Sequence, residues 1–147
     1  MTAGATAMEQ RLSVLTLGVK DLARSKRFYV EGLEWKPVFE NEEVVFFQAG
    51  GMVFGLFREE GLAKDFEGDP TSFGRAAMAM GYNVRSKAEV DPLLARAEAA
   101  GATILKAARM AEWGGYSGYF ADPDGFAWEI AWNPNWTVEF NGNLTFH

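Results

Sequence analysis

The sequence predicts an α+β fold built from two copies of a βαβββ module. The order strand, helix, strand, strand, strand occurs twice along the chain, and the turn signals that punctuate it fall at matching places in the two halves. Length agrees: 147 residues make one structural domain of ordinary size, able to bury most of its apolar surface without a disulfide or metal.

Residues 1–10 are expected to form a disordered N-terminus, since they lack both the charged end and the apolar run of a signal peptide. The first module spans 11–58. Residues 12–19 mix β-branched side chains with leucine over a strand's length, and Asp21 offers an N-cap for a helix over 22–31, closed by Gly32. Apolar runs at 35–39, 44–47 and 52–57, split by Glu40-Asn-Glu-Glu43 and by Gly50-Gly51, predict a meander of three strands. Residues 59–75 are polar and carry Gly61, Gly68, Pro70 and Gly74, which reads as a linker.

The second module spans 76–132. A strand is expected over 76–84. Ser86 and Glu89 have capping-box spacing ahead of Val90, Leu93, Leu94 and Ala97, which share one helical face before Gly101. Pro92 sits deep for a helix begun at Ser86, so the regular helix is expected to begin nearer Asp91. Strands at 102–109, 116–121 and 126–132 follow, with Asp122-Pro-Asp-Gly125 as the last tight turn. Aligning Val19 with Val84 and Gly51 with Gly125 superposes the two halves in pattern rather than in identity. Residues 133–147 form a C-terminal tail with a hairpin around Asn141-Gly142.

Composition removes several chemistries. There is no cysteine, and the one histidine is His147, so a thiolate nucleophile, a Cys/His zinc site and an ordinary Ser-His-Asp triad are all excluded. Fourteen Lys plus Arg stand against 20 Asp plus Glu, a formal net charge of -6 with no basic run, which argues against a nucleic-acid partner. No apolar stretch approaches membrane-spanning length, and a cytoplasmic location without membrane partners is the expectation.

Two stretches carry a family resemblance. Leu17-Gly-Val-Lys-Asp-Leu-Ala-Arg-Ser-Lys-Arg-Phe-Tyr29 with Gly32-Leu33, and Tyr119-Phe-Ala-Asp-Pro-Asp-Gly-Phe-Ala-Trp-Glu-Ile130, resemble the two signatures of the vicinal oxygen chelate superfamily. That group includes glyoxalase I, bleomycin-resistance proteins, fosfomycin-resistance proteins and extradiol dioxygenases. The resemblance covers 12–132 and implies modules whose sheets form a cupped mixed sheet around a ligand. It also implies His or Glu at inward positions of the first and fourth strand of each module in metal-using members. Those positions fall on Val14, Gly55, Ala79 and Glu129, and the internal repeat pairs the same residues. Three of them offer no metal-binding side chain, and one carboxylate is too few donors for a first-row ion, so neither a metal nor a cofactor is expected.

Strand alternation assigns the faces. With Glu129 inward, Ala127 and Ala131 join it, as do Ala79, Gly81 and Asn83 and, in the first module, Leu12, Val14, Thr16, Gly18, Val53, Gly55 and Phe57. Trp128, Ile130 and Trp132 point the other way, as core. A face rich in Gly and Ala is the pattern of a cavity, and Thr16, Asn83, Tyr119 and Glu129 supply its polar groups. Phe57 adds an aromatic wall, and Trp113, on the Gly-flanked loop Glu112-Trp-Gly-Gly-Tyr116, is placed to stack on a planar ligand. Glu129 and Tyr119 are the candidate catalytic pair, Tyr119 because some relatives use a tyrosine at this signature position. The leading expectation is a protein that binds a small apolar or aromatic molecule without the family's metal. The alternatives are a divergent glyoxalase-like lyase or dioxygenase-like enzyme with Glu129 and Tyr119 in acid–base roles, and a ligand-free interaction module. Family habit implies a homodimer.

Overall fold

β-Branched residues and leucine set Val14–Val19 as strand β1, and Asp21 caps helix α1, Leu22–Lys26, by accepting the Arg24 backbone N–H at 3.0 Å. The structure, a computed structural model, describes residues 8–69, 71 and 78–146. Most of the expected N-terminal tail and the first residues of the second module, 76 and 77, lie outside the described residues. Beyond Lys26 the helix widens into a π-turn over Arg27–Gly32, where the Leu33 N–H donates to the Phe28 carbonyl. Within that turn the consecutive side chains of Phe28 and Tyr29 are both buried. Strands β2 (Pro37–Glu40), β3 (Val44–Ala49) and β4 (Met52–Arg58) form the antiparallel meander, and β1 pairs parallel with β4, giving the order β1-β4-β3-β2.

The segment after Arg58, expected to be a linker throughout, begins with a helix, α2, Glu59–Asp65. Gly61 counts against a helix in the sequence, but here a Cβ would meet the Phe57 ring at 2.5 Å and Glu43 Oε2 at 2.9 Å, so its missing side chain is what admits Phe57. Ala63 on the same helix is fully buried. The second module then repeats the first. Strand β5 (Ala79–Asn83) leads through a 3-10 turn, Lys87–Glu89, into α3, Val90–Ala99, followed by β6 (Thr103–Met110), β7 (Tyr116–Ala121) and β8 (Ala127–Trp132), in the order β5-β8-β7-β6. The capping box forms, Glu89 accepting the Ser86 N–H at 2.7 Å, and Pro92 falls in the first helical turn, where its missing donor is harmless. The tail makes the hairpin β9 (Trp136–Val138) and β10 (Leu144–Phe146).

The fold is therefore α+β, with two four-stranded sheets. Their helix-bearing faces are turned toward each other. Phe54 of the first sheet and Trp128 of the second lie 5.8 Å apart, Phe28 and Phe120 6.0 Å, and Trp35 and Trp128 5.8 Å. One buried cluster takes in Leu17, Val45, Phe47 and Leu56 with Met80, Leu94, Phe120 and Ile130, so the two modules share a single core with α1 and α3 between the sheets.

Polar groups fix how the modules meet. The Tyr29 hydroxyl donates to Asp122 Oδ2 at 2.7 Å and accepts the Trp128 indole N–H at 3.1 Å. Asp122 Oδ1 accepts the backbone N–H of Asp124 and of Phe126, which holds the Asp122-Pro-Asp-Gly125 turn in shape. Asp124 in turn accepts from Ser25 Oγ, Arg24 and the Lys20 N–H on the first module. At the pseudo-symmetric junction the tail hairpin intervenes: Arg85 donates to the Glu139 carbonyl, and a Cβ on Gly50 would lie 3.7 Å from Asn143 Oδ1.

Burial pushes the Asp122 carboxyl above its ordinary value of 3.8, against the opposing pull of the Tyr29 hydroxyl and the two turn amides. Its protonated form therefore favours folding. That contribution is full below pH 3.8 and is lost as pH rises through the higher folded value. The stability of Asp122→Asn relative to wild type is expected to climb over that window and then level off, measured by denaturant midpoints across pH. Tyr29→Phe strips the carboxylate of one donor and leaves the Trp128 N–H buried and unpaired, and is expected to cost about 2–3 kcal/mol in the same measurement at pH 7.

Candidate functional site

Because the helix-bearing faces are buried together, the other face of each sheet is open. On the second sheet the open face is built from alternate residues of four strands. Glu129 on β8 lies in register between Gly81 of β5 and Tyr119 of β7; in the next row Asn83 pairs with Ala131, and Ala131 and its other neighbour Ser117 are buried. Tyr119 stands beside Glu129 across the β7–β8 pairing, and burial first, then the nearby carboxylate charge, raise the Tyr119 pKa. The phenol thus stays protonated next to Glu129. Around the pair the floor is flat: Ala127, Ala131, Ala79 and Gly81 carry at most a methyl, and a Cβ on Gly81 would meet nothing within 4 Å.

Strand β6 adds two cations. Lys106 pairs in register with Tyr119 and Arg109 with Ser117, which puts both on the open face without ion-pair partners among the described residues. Sequence reasoning missed them. The register of β6 shifts twice, between Ile104 and Lys106 and between Lys106 and Arg109, so simple alternation cannot assign their side.

The first sheet's open face has a different chemistry. Thr16 pairs with Gly55, whose Cβ would sit 3.1 Å from the Phe46 ring and 3.5 Å from Thr16 Oγ1, so the glycine leaves room for Phe46 to lie across the strand. Phe57, beside Gly18, packs on α2 at one end of this face. Val14 and Phe39 stand 47% and 51% exposed at the other strands.

Thr16 and Phe57 therefore lie on one side of the chain, and Asn83, Tyr119 and Glu129 on the opposite side. The layering brings Asn83, Tyr119 and Glu129 together and sets Thr16 and Phe57 apart from them. Trp113 joins neither group closely: it is half exposed, and its ring folds over Gly115 of its own turn. Trp128 and Trp132 lie in or against the core, as their facing predicts. A cleft of about 110 Å³ exists between the modules on the helix side, walled by Trp35, Phe120 and Trp128, but it is too small for a drug-sized ligand. Its one cation, Arg96, is occupied by the Gly32 carbonyl and Glu34.

The residues present do not fit the metal that the resemblance implies. Val14, Gly55 and Ala79 bring no donor side chain, Glu129 alone supplies one carboxylate, and among the described residues no three His, Cys, Asp or Glu come together. Among the described residues, no helix is long and apolar enough to cross a membrane.

Comparison with known proteins agrees with the fold. The Glyoxalase family, described as the Glyoxalase/Bleomycin resistance protein/Dioxygenase superfamily, matches residues 11–130. A glyoxalase-related enzyme from Fulvimarina pelagi is 43% identical, with a TM-score of 0.89 over 94% of this chain and 99% of that one. A glyoxalase/bleomycin resistance protein/dioxygenase family enzyme from Burkholderia phytofirmans PsJN (20% identity, TM-score 0.74, 82% and 96% covered) shares the fold. So does a lactoylglutathione lyase from Agrobacterium tumefaciens (22% identity, TM-score 0.63, 85% and 95% covered). No curated protein matches the chain.

Two glycine substitutions test which faces are open. Gly81→Ala is expected to leave thermal stability unchanged or slightly higher. Gly118→Ala, on the helix side of the same sheet, drives a Cβ to 2.6 Å from Leu94 Cδ1 and 2.8 Å from the Lys106 carbonyl. It is expected to cost about 1–3 kcal/mol in thermal or denaturant unfolding.

Proposed function

Because the chain belongs to the Glyoxalase/Bleomycin resistance protein/Dioxygenase superfamily, we propose that it binds a small apolar or aromatic molecule, without a metal, over Tyr119 and Glu129. The observation that carries this reading is a carboxylate beside a phenol on a floor of glycine and alanine. The flat floor accepts a ring or apolar body. The Glu129 carboxylate offers acceptor lone pairs to an N–H or O–H of the ligand. Polar recognition on an apolar surface is the usual division of labour in small-molecule sites.

A second reading is favoured by the Fulvimarina pelagi relative, which is described as an enzyme. In it Glu129 takes a proton from the substrate while Tyr119 keeps the carboxylate aimed, a general-base role of a kind worth about 10²–10⁴-fold in rate.

A thermal-shift screen with aromatic metabolites, with and without chelator, tests the binding reading. A ligand at 100 times its Kd stabilises by about 2.7 kcal/mol through mass action, and the shift is expected to survive chelation. Stoichiometric divalent metal lost together with binding would overturn it. Glu129→Gln separates the two readings: binding alone predicts roughly tenfold weaker affinity, whereas catalysis predicts turnover lost with affinity nearly intact.

A further inference from the structure

We propose that the ligand of the Tyr119 and Glu129 face is an aromatic zwitterion of the α-amino-acid class, its ammonium on Glu129 and its carboxylate on Lys106 and Arg109. This rests on the binding reading above and adds the chemical class of the ligand to it. The charges are laid out in register on three neighbouring strands. Glu129 on β8 pairs with Tyr119 on β7, and Tyr119 pairs with Lys106 on the edge strand β6. Arg109 lies one row further along β6, opposite Ser117. A carboxylate and two cations therefore share one face, and among the described residues none of the three has an ion-pair partner. Two strand spacings, about 9–10 Å, separate the Glu129 and Lys106 backbones, with Tyr119 on the strand between.

That span sets the ligand's head group. An ammonium on Glu129 and a carboxylate on Lys106 each make a charge-assisted bond of about 2.8 Å, and an α-amino acid holds its own nitrogen and oxygen about 3 Å apart. Together these bridge most of the distance between the two strands, and the flexible lysine stem takes up the rest. The planar fork of Arg109 suits the second carboxylate oxygen. A ring that settles here takes water from the charges around it, so a neutral ligand leaves the carboxylate and the cations poorly solvated. A cationic ligand serves only Glu129, and an anionic one only Lys106 and Arg109. The ring has its own place as well. On the side of the Glu129 row away from Arg109, Ala79 pairs with Ala127, and above Gly81 a Cβ would meet nothing within 4 Å.

Calorimetric titration with phenylalanine, tyrosine and tryptophan, and with phenethylamine and hydrocinnamate, which keep the phenylalanine ring and lose one charged end each, tests the proposal. At least one of the amino acids is expected to bind, and phenylalanine to bind roughly tenfold or more tightly than either truncated compound. In the double variant Lys106→Ala, Arg109→Ala the preference for phenylalanine over phenethylamine is expected to vanish, and in Glu129→Gln the preference over hydrocinnamate. Lys106 and Arg109 are exposed on an edge strand, and Gln keeps the shape of Glu, so the variants are expected to fold with the wild-type thermal midpoint. No binding of the three amino acids, phenethylamine binding as tightly as phenylalanine, or a preference for the carboxylate that survives the double variant would each overturn the proposal. A neutral aromatic that binds where the amino acids do not would overturn it and leave the binding reading standing, whereas a screen in which no aromatic binds would remove both.

Discussion

The hydroxyl of Tyr29 is the point on which the architecture turns. It donates to Asp122 and accepts from Trp128, and so ties the helical turn of the first module to a strand and a turn of the second. Apolar burial supplies most of the free energy that holds the modules together, but burial is non-directional and would tolerate many sliding arrangements. A buried carboxylate is far less tolerant. Asp122 is burdened by desolvation and relieved only by donors that must arrive from the phenol and from its own turn. One residue therefore sets the turn's shape and the position of the neighbouring module together.

That joint decides where the open faces go. Side chains alternate along a strand, so committing Leu17, Phe54, Trp128 and Ile130 to the shared core commits Thr16, Gly55, Glu129 and Ala131 to the reverse sides. Two such sheets, back to back, cannot turn these reverse faces toward one another. The internal repeat is also imperfect in a useful way. At one junction Asp124 reaches Lys20, Arg24 and Ser25, and at the pseudo-symmetric one the tail hairpin stands between Gly50 and Arg85. The tail supplies in a separate element what the second turn supplies from within its module.

Most elements were legible because their signals are local. Asp21, the Ser86 and Glu89 pair, and the Asp122 turn act through groups a few residues away, and each forms the contact its spacing implies. Helix α2 was not legible, because Gly61 argues against a helix until the Phe57 ring is known to occupy its side-chain space. The π-turn over Arg27–Gly32 was likewise hidden, since a single widened turn leaves the apolar pattern of the helix nearly as it would be in an ordinary one. For the site, alternation correctly grouped Glu129 with Gly81 and Thr16 with Gly55. It could not say whether the two groups share a cup, because that depends on which faces of two separate sheets meet, a fact of tertiary packing with no local signature. Lys106 and Arg109 escaped for a third reason, the bulges that break the period of β6.

Glu129 shows what the arrangement asks of a ligand. On the open face its carboxylate is half-buried beside Tyr119, and water can serve its acceptor sites. A ligand that settles over that face displaces the water, and the floor of Ala79, Gly81 and Ala127 brings no side-chain donor in its place. A covered carboxylate with unmet acceptor sites is costly, so the site favours an occupant that carries an N–H or O–H at that place. Selectivity then rests on the polar group more than on the fit of the apolar body. A site built to meet a hydrogen-bonding group rejects an analogue lacking it far more strongly than an apolar wall rejects one methylene too few.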